Sequence, residues 1–109
     1  MNSRCSLAVL LSLLLCAPAH AGWSERSRIS GIQLDPDGDA LITLSDMSAN
    51  PAGCEVHSVY RLSADSRSFR RTYLLILASY LAQHEVRLAL AGGRCEDAAP
   101  SIESIEMPY

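Results

Sequence analysis

At 109 residues the chain holds nine arginines, no lysine and twelve acids, a net charge of −3. That length fits one small domain. The mildly acidic balance argues against a nucleic-acid partner, whose phosphates want a basic face.

Met1 to Arg4 carries one positive charge, and the apolar run LAVLLSLLL, Leu7 to Leu15, follows it. APAHA then places Ala19 and Ala21 at the minus-three and minus-one positions of a small-residue cleavage site. This is the three-part layout of a secretory signal. It predicts cleavage of residues 1–21, leaving a single domain over residues 22–109 and a periplasmic or secreted protein. Lipidation of Cys16 is the competing reading. A lipoprotein signal wants a small residue directly before the cysteine, and Leu15 is bulky there. The apolar run is shorter than the roughly 20 residues a membrane helix needs, and no later stretch is long and apolar enough to span.

Cleavage discards Cys5 and Cys16 and leaves Cys54 and Cys95, 41 positions apart. Two cysteines in an exported chain most simply form one disulfide. In the chain-entropy model, closing a loop of that length contributes about 4 kcal/mol.

RISGIQL, Arg28 to Leu34, reads as a first strand with Ile32 and Leu34 on one face. Ile29 is out of phase with them, and a bulge at Gly31 would restore the alternation. DPDGD, Asp35 to Asp39, is a turn, and ALITLS returns as a second strand with Ala40, Ile42 and Leu44 on one side. The two make a hairpin. After the polar loop DMSANPAG, VHSVYRL reads as a third strand that puts Val56, Tyr60 and Leu62 on one face.

SADSRS supplies helix caps in Asp65, Ser66 or Ser68. The stretch from Ser68 to Gln83 lacks glycine and proline and predicts a helix of roughly 24 Å. It is apolar nearly all round. Phe69, Tyr73, Ile76, Leu77, Tyr80 and Leu81 make one face, and Leu74, Leu75, Ala78 and Ala82 make another. A surface helix should carry a single apolar stripe. The second one points either to burial under the chain's own strands and loops or to self-association. EVRLALA alternates as a fourth strand ending in GGRC, and SIESIEM supplies a last one. The order β-β-β-α-β-β is mainly β with one helix, an α+β plan that fits the five-stranded OB barrel.

Catalytic and metal chemistry find little support. Cys54 and His57, with His84 and Cys95, could make a zinc set, but a disulfide would remove its thiolates. DPDGD resembles part of a calcium loop, yet it lacks the ligand order and terminal glutamate of an EF-hand. There is no Gly-x-Ser-x-Gly elbow and no phosphate loop. Glu103 and Glu106 lie three apart on a strand, which sets them on opposite faces. Neither an enzyme nor a cofactor is expected. Arg61, Arg67, Arg70 and Arg71 cluster near the helix start, while Glu96, Asp97, Glu103 and Glu106 crowd the C-terminal part. Cations at a helix N-terminus are unfavourable, so Arg70 and Arg71 should find acidic partners nearby. The cluster is either a solvated, internally paired face or a surface for another subunit or an anionic ligand such as a sialic-acid-type sugar.

The stretch FRRTYLLILASYLAQHEVRLALAGGRC, following a signal peptide and a cysteine before strand three, resembles small exported bacterial proteins related to the B subunit of subtilase cytotoxin. The shared features are Leu74, Leu75 and Ala78 in the helix, Val86 to Leu88 in the strand and the Gly92 to Cys95 ending. The resemblance implies an OB-fold domain and, in the toxin branch, a ring of five glycan-binding subunits with the helix at its centre. The family's glycine before the fourth strand is replaced here by Gln83-His84-Glu85. None of the toxin's sugar-contacting residues can be placed, so the ligand-binding residues stay unknown. Trp23, Tyr60 and Tyr109 are the aromatics that could stack on a sugar. The expected function is a non-enzymatic, oligomeric, carbohydrate-binding module. The alternative is a periplasmic protein-interaction partner, such as an inhibitor, immunity or assembly accessory protein, acting through its acidic surface.

Overall fold

The computed structural model describes residues 22–107. The proposed signal segment, with Cys5 and Cys16, and the terminal Tyr109 lie outside these residues. The elements in chain order are β1 (Gly22–Trp23), β2 (Ser27–Leu34), β3 (Ala40–Leu44), β4 (Tyr60–Leu62), α1 (Phe69–Ala82), β5 (Glu85–Glu96) and β6 (Ala99–Glu106).

Five strands close into a barrel. β2 pairs antiparallel with β3, β3 with β4, β6 with β5 and β5 back with β2, while β4 and β6 run parallel. One parallel pair in an otherwise antiparallel ring, with a helix between the third and fourth barrel strands, is the OB arrangement. β1 is the frayed start of the first barrel strand. It pairs Trp23 with Ala89, and β2 resumes with Ser27 against Val86. Ser24 bridges the gap: its N–H donates to the Leu88 carbonyl at 2.8 Å, and its Oγ accepts the Leu88 N–H at 2.8 Å.

The β2–β3 pairing shifts register between Ile29 and Gly31, the bulge that the phase of the isoleucines requires. Ile29 is thereby buried in the core, whereas Leu34, at the strand end, emerges into solvent. The core is a continuous aliphatic cluster of Ile29, Ile42, Leu44, Leu62, Val86, Leu88, Leu90 and Ile102 around Tyr60, with Ile76 contributed by the helix.

Two strands depart from the expected boundaries. β4 has only three residues instead of starting near Val56. The preceding loop is drawn the other way, because Cys54 is bridged to Cys95 on β5 and the Val56 N–H donates to the Ala98 carbonyl at 2.8 Å. Asn50 holds the same loop, its amide donating to the Cys54 carbonyl at 2.9 Å and accepting the Cys54 N–H at 2.8 Å. β5, conversely, runs through Gly92-Gly93 instead of ending there. It turns into β6 through Asp97 and Ala98, both at positive φ, 50° and 67°. Consecutive left-handed residues match the twist of a tight hairpin.

The helix begins after Ser68, whose side chain does not cap it. Ser66 does more: its Oγ accepts the Ser68 N–H at 3.3 Å and its carbonyl accepts the Phe69 N–H at 3.1 Å. The helix ends in a Schellman motif, with the N–H groups of Gln83 and His84 donating to the Tyr80 and Ser79 carbonyls at 3.2 and 3.0 Å. Gln83 occupies the left-handed position, φ 58°.

Two outcomes test this frame. Replacing Cys54 and Cys95 together by serine should remove about 4 kcal/mol of stability in urea unfolding, and a loss below about 1 kcal/mol would contradict the loop-closure role. Gln83→Gly relieves a left-handed side chain and should raise stability by about 0.5–1 kcal/mol, read as a higher urea midpoint.

Candidate functional site

Three features stand out on the barrel: a pinned pair of turns, a polar cleft beside them and an uncovered helix face. In an OB barrel the loops joining strands one to two and four to five border the usual ligand face. Here these are the β2–β3 turn and the β5–β6 turn, and Arg61 on β4 ties them together. Its Nη1 donates to Asp35 Oδ2 and, at 3.1 Å, to Asp39 Oδ2. The Asp97 carboxylate on the other turn is 3.8 Å away. Asp35 Oδ1 meanwhile accepts the N–H groups of Asp37 and Asp39, both at 3.0 Å, and Asp39 Oδ1 accepts the Ala64 N–H at 2.8 Å. The calcium-like DPDGD segment is therefore a turn whose Asp35 and Asp39 carboxylates are spent on an arginine and on backbone.

The Arg61 guanidinium, donating to Asp35, holds that carboxyl below its ordinary value of 3.8, and Asp35 and Asp39 together push the arginine up. On the neighbouring loop, hydrogen bonds from Ser48 lower Asp46 in the same way.

A cleft of about 410 Å³ opens between the β4–α1 segment and the β5–β6 hairpin. Ser63, Asp65, Ser66, Arg94, Glu96, Ser101 and Glu103 line it. Ile102 supplies an apolar wall. Arg94 lies 3.8 Å from Glu96.

The third feature is the outer face of α1. The helix packs against β2 and β6 and buries Thr72, Ile76 and Ser79. Leu74, Leu75 and Leu81 remain 57, 41 and 74 % exposed, with Ala78 and Ala82 also in solvent between them. Of the two fates read from the sequence, burial under the chain's own strands does not apply to this face.

The residues singled out in the sequence scatter. Cys54 and Cys95 are bonded to each other, so neither sulfur is a thiolate ligand. His57 and His84 are exposed, and among the described residues no group of three or more His, Cys, Asp or Glu is placed to hold a metal ion. Tyr60 is not a sugar platform: it is 0 % exposed, and its hydroxyl donates to the Ala49 carbonyl at 2.8 Å. Burial raises the Tyr60 phenol. Trp23 is 45 % exposed, but the Arg87 guanidinium sits 4.6 Å from its ring centroid, and Arg87 is in turn held by Glu106 at 2.7 Å. The arginine cluster also divides. Arg61 is partly buried among acids, whereas Arg67, Arg70 and Arg71 have no carboxylate within 4 Å among the described residues. Among the described residues the acidic partners expected for Arg70 and Arg71 are not found, and the first helical turn carries no acid.

A β-barrel of five strands, one helix and one disulfide defines a small OB-fold domain. The fold is similar to that of the solved cholera toxin-like B-subunit from Citrobacter freundii, with a TM-score of 0.56 over 99 % of this chain and 96 % of that one at 14 % identity. The likeness is one of fold. No family model matches the chain, and no curated protein matches it in sequence. No helix among the described residues is long and apolar enough to cross a membrane.

The pinned turns carry a pH dependence. Because Asp35 is held below 3.8 in the folded state, its contribution is complete above that value and drains away as pH falls through the lowered one. Urea midpoints should therefore decline below pH ~4, and Asp35→Asn should make that decline shallower. An unchanged slope in the variant would contradict the pairing.

Proposed function

We propose that the chain is an exported, non-enzymatic binding module of the toxin-B type, working as a ring of copies that presents one glycan site per subunit. The carrying observation is the outer face of α1, three exposed leucines and two exposed alanines side by side. Monomeric soluble proteins rarely leave such a contiguous patch open. A closed ring repeats one contact around an axis and covers an identical patch on every copy. Arg67 precedes the same helix and Arg70 and Arg71 lie in its first turn, and carboxylates of a neighbouring copy would supply the pairs they lack among the described residues. The resemblance of the helix and the GGRC strand to the subtilase-cytotoxin B family supports this assembly, as does the fold of the Citrobacter freundii B-subunit.

The cleft gives each subunit a place for a sugar, lined by hydroxyls and carboxylates that can accept its O–H groups. A ring would turn weak single contacts into avid attachment to a glycan-bearing surface. Removal of residues 1–21 on export would deliver the domain to a compartment that keeps Cys54 and Cys95 oxidised.

Leu75→Glu combined with Leu81→Glu places charge on the proposed contact while leaving the barrel core intact. Binding to an immobilised glycoprotein surface should fall on the order of 100-fold, with circular dichroism unchanged. Wild-type surface binding by this variant would contradict the ring.

A further inference from the structure

Resting on the proposed removal of residues 1–21, we infer that the Ala21–Gly22 bond can be cut only before β1 docks on β5, so that a chain that folds first keeps its signal segment. The bond has no slack on its mature side. Gly22 itself pairs with Leu90, and Trp23 with Ala89. Ser24, 2 % exposed, then donates its N–H to the Leu88 carbonyl and accepts the Leu88 N–H on its Oγ, both at 2.8 Å. The first three residues beyond the cut are thereby committed to the barrel. A peptidase takes the residues around its cut as an extended strand laid into a cleft, and a stretch held flat on β5 cannot enter one.

Side chains close in around the same residues. A methyl group built on Gly22 would stand 3.0 Å from Pro51 Cβ and 3.1 Å from its Cγ, so the loop before Cys54 lies directly against the first mature residue. That loop is fastened to β5 by the Cys54–Cys95 bridge and braced internally by Asn50. Over Trp23 the Arg87 guanidinium stands 4.6 Å from the ring centroid, and Arg87 is held by Glu106 at 2.7 Å. A folded chain is cut in proportion to the time its target segment spends open. Opening here must break the β1 pairs, both Ser24 hydrogen bonds and the Trp23–Arg87 stack together. The cut itself adds water across the bond, leaving a carboxylate on Ala21 and an ammonium on Gly22.

The test uses the full precursor, residues 1–109, and a purified signal peptidase in detergent micelles. Wild type is compared with a variant carrying a glycine-serine spacer of about six residues between Ala21 and Gly22, which moves the bond off the barrel without touching β1. Each is presented twice, as a nascent chain and as the folded, oxidised barrel, and the ratio of folded to nascent cleavage rate is read. For wild type the folded form should be cut at least about tenfold more slowly than the nascent one, while the spacer variant should be cut alike in both. Equal rates for folded and nascent wild type, or an equally slow folded spacer variant, would overturn the inference. A nascent wild-type product whose intact mass does not begin at Gly22 would instead overturn the cleavage reading on which it rests.

Discussion

The barrel depends on Arg61. β4 is three residues long, yet it is the strand that joins β3 to β6 and so closes the ring. The parallel seam is registered by Arg61 opposite Ser101. From that one position the backbone closes the barrel, and the side chain reaches out to Asp35 and Asp39 on one turn and toward Asp97 on the other. All three contacts converge on Nη1 of the guanidinium, while its buried Nε has no partner among the described residues. The disulfide acts on the same region from the opposite side, since Cys95 lies two residues before Asp97 and its partner anchors the loop that leads into β4. A short strand with few backbone bonds is thus held by one ion cluster and one covalent link, and the cleft opens beside both.

The helix shows a different constraint. A small barrel can offer only a narrow groove to a covering helix, so α1 buries the stripe containing Thr72, Ile76 and Ser79 and leaves the rest of its circumference outside. Evolution of an isolated monomer would favour polar residues at positions 74, 75, 78, 81 and 82, whereas this chain keeps leucine and alanine there. On the proposed assembly, one neighbouring surface would cover the apolar outer face and also meet Arg67, Arg70 and Arg71, which have no ion pair among the described residues.

Much of this was legible in the sequence, because the signals were local. The alternation of EVRLALA, the phase error around Gly31 and the two cysteines of the domain each specify a feature through the period of a strand, the freedom of a glycine or the pairing of thiols. What could not be read depended on distant partners. The truncation of β4 comes from the Cys54–Cys95 bridge and the contact of Val56 with Ala98, neither of which leaves a mark in VHSVYRL. β5 passes through Gly92-Gly93 because the left-handed pair Asp97-Ala98 turns the hairpin beyond it, without a glycine to announce the turn. Tyr60 and Trp23 had similar claims as sugar platforms, and only the packing separates a core phenol from a partly exposed indole capped by Arg87. The cleft was invisible for the same reason: Ser63, Arg94 and Ser101 come from three separate segments.

The assembly is the claim on which the functional account turns, and native mass spectrometry of the protein exported from a Gram-negative host reads it most directly. The account predicts a closed multimer of chains that begin at Gly22, each lighter by two hydrogens for the Cys54–Cys95 bridge. A clean monomer of the same cleaved, oxidised chain would contradict the ring, and would make the exposed helix face a docking surface for a different envelope protein.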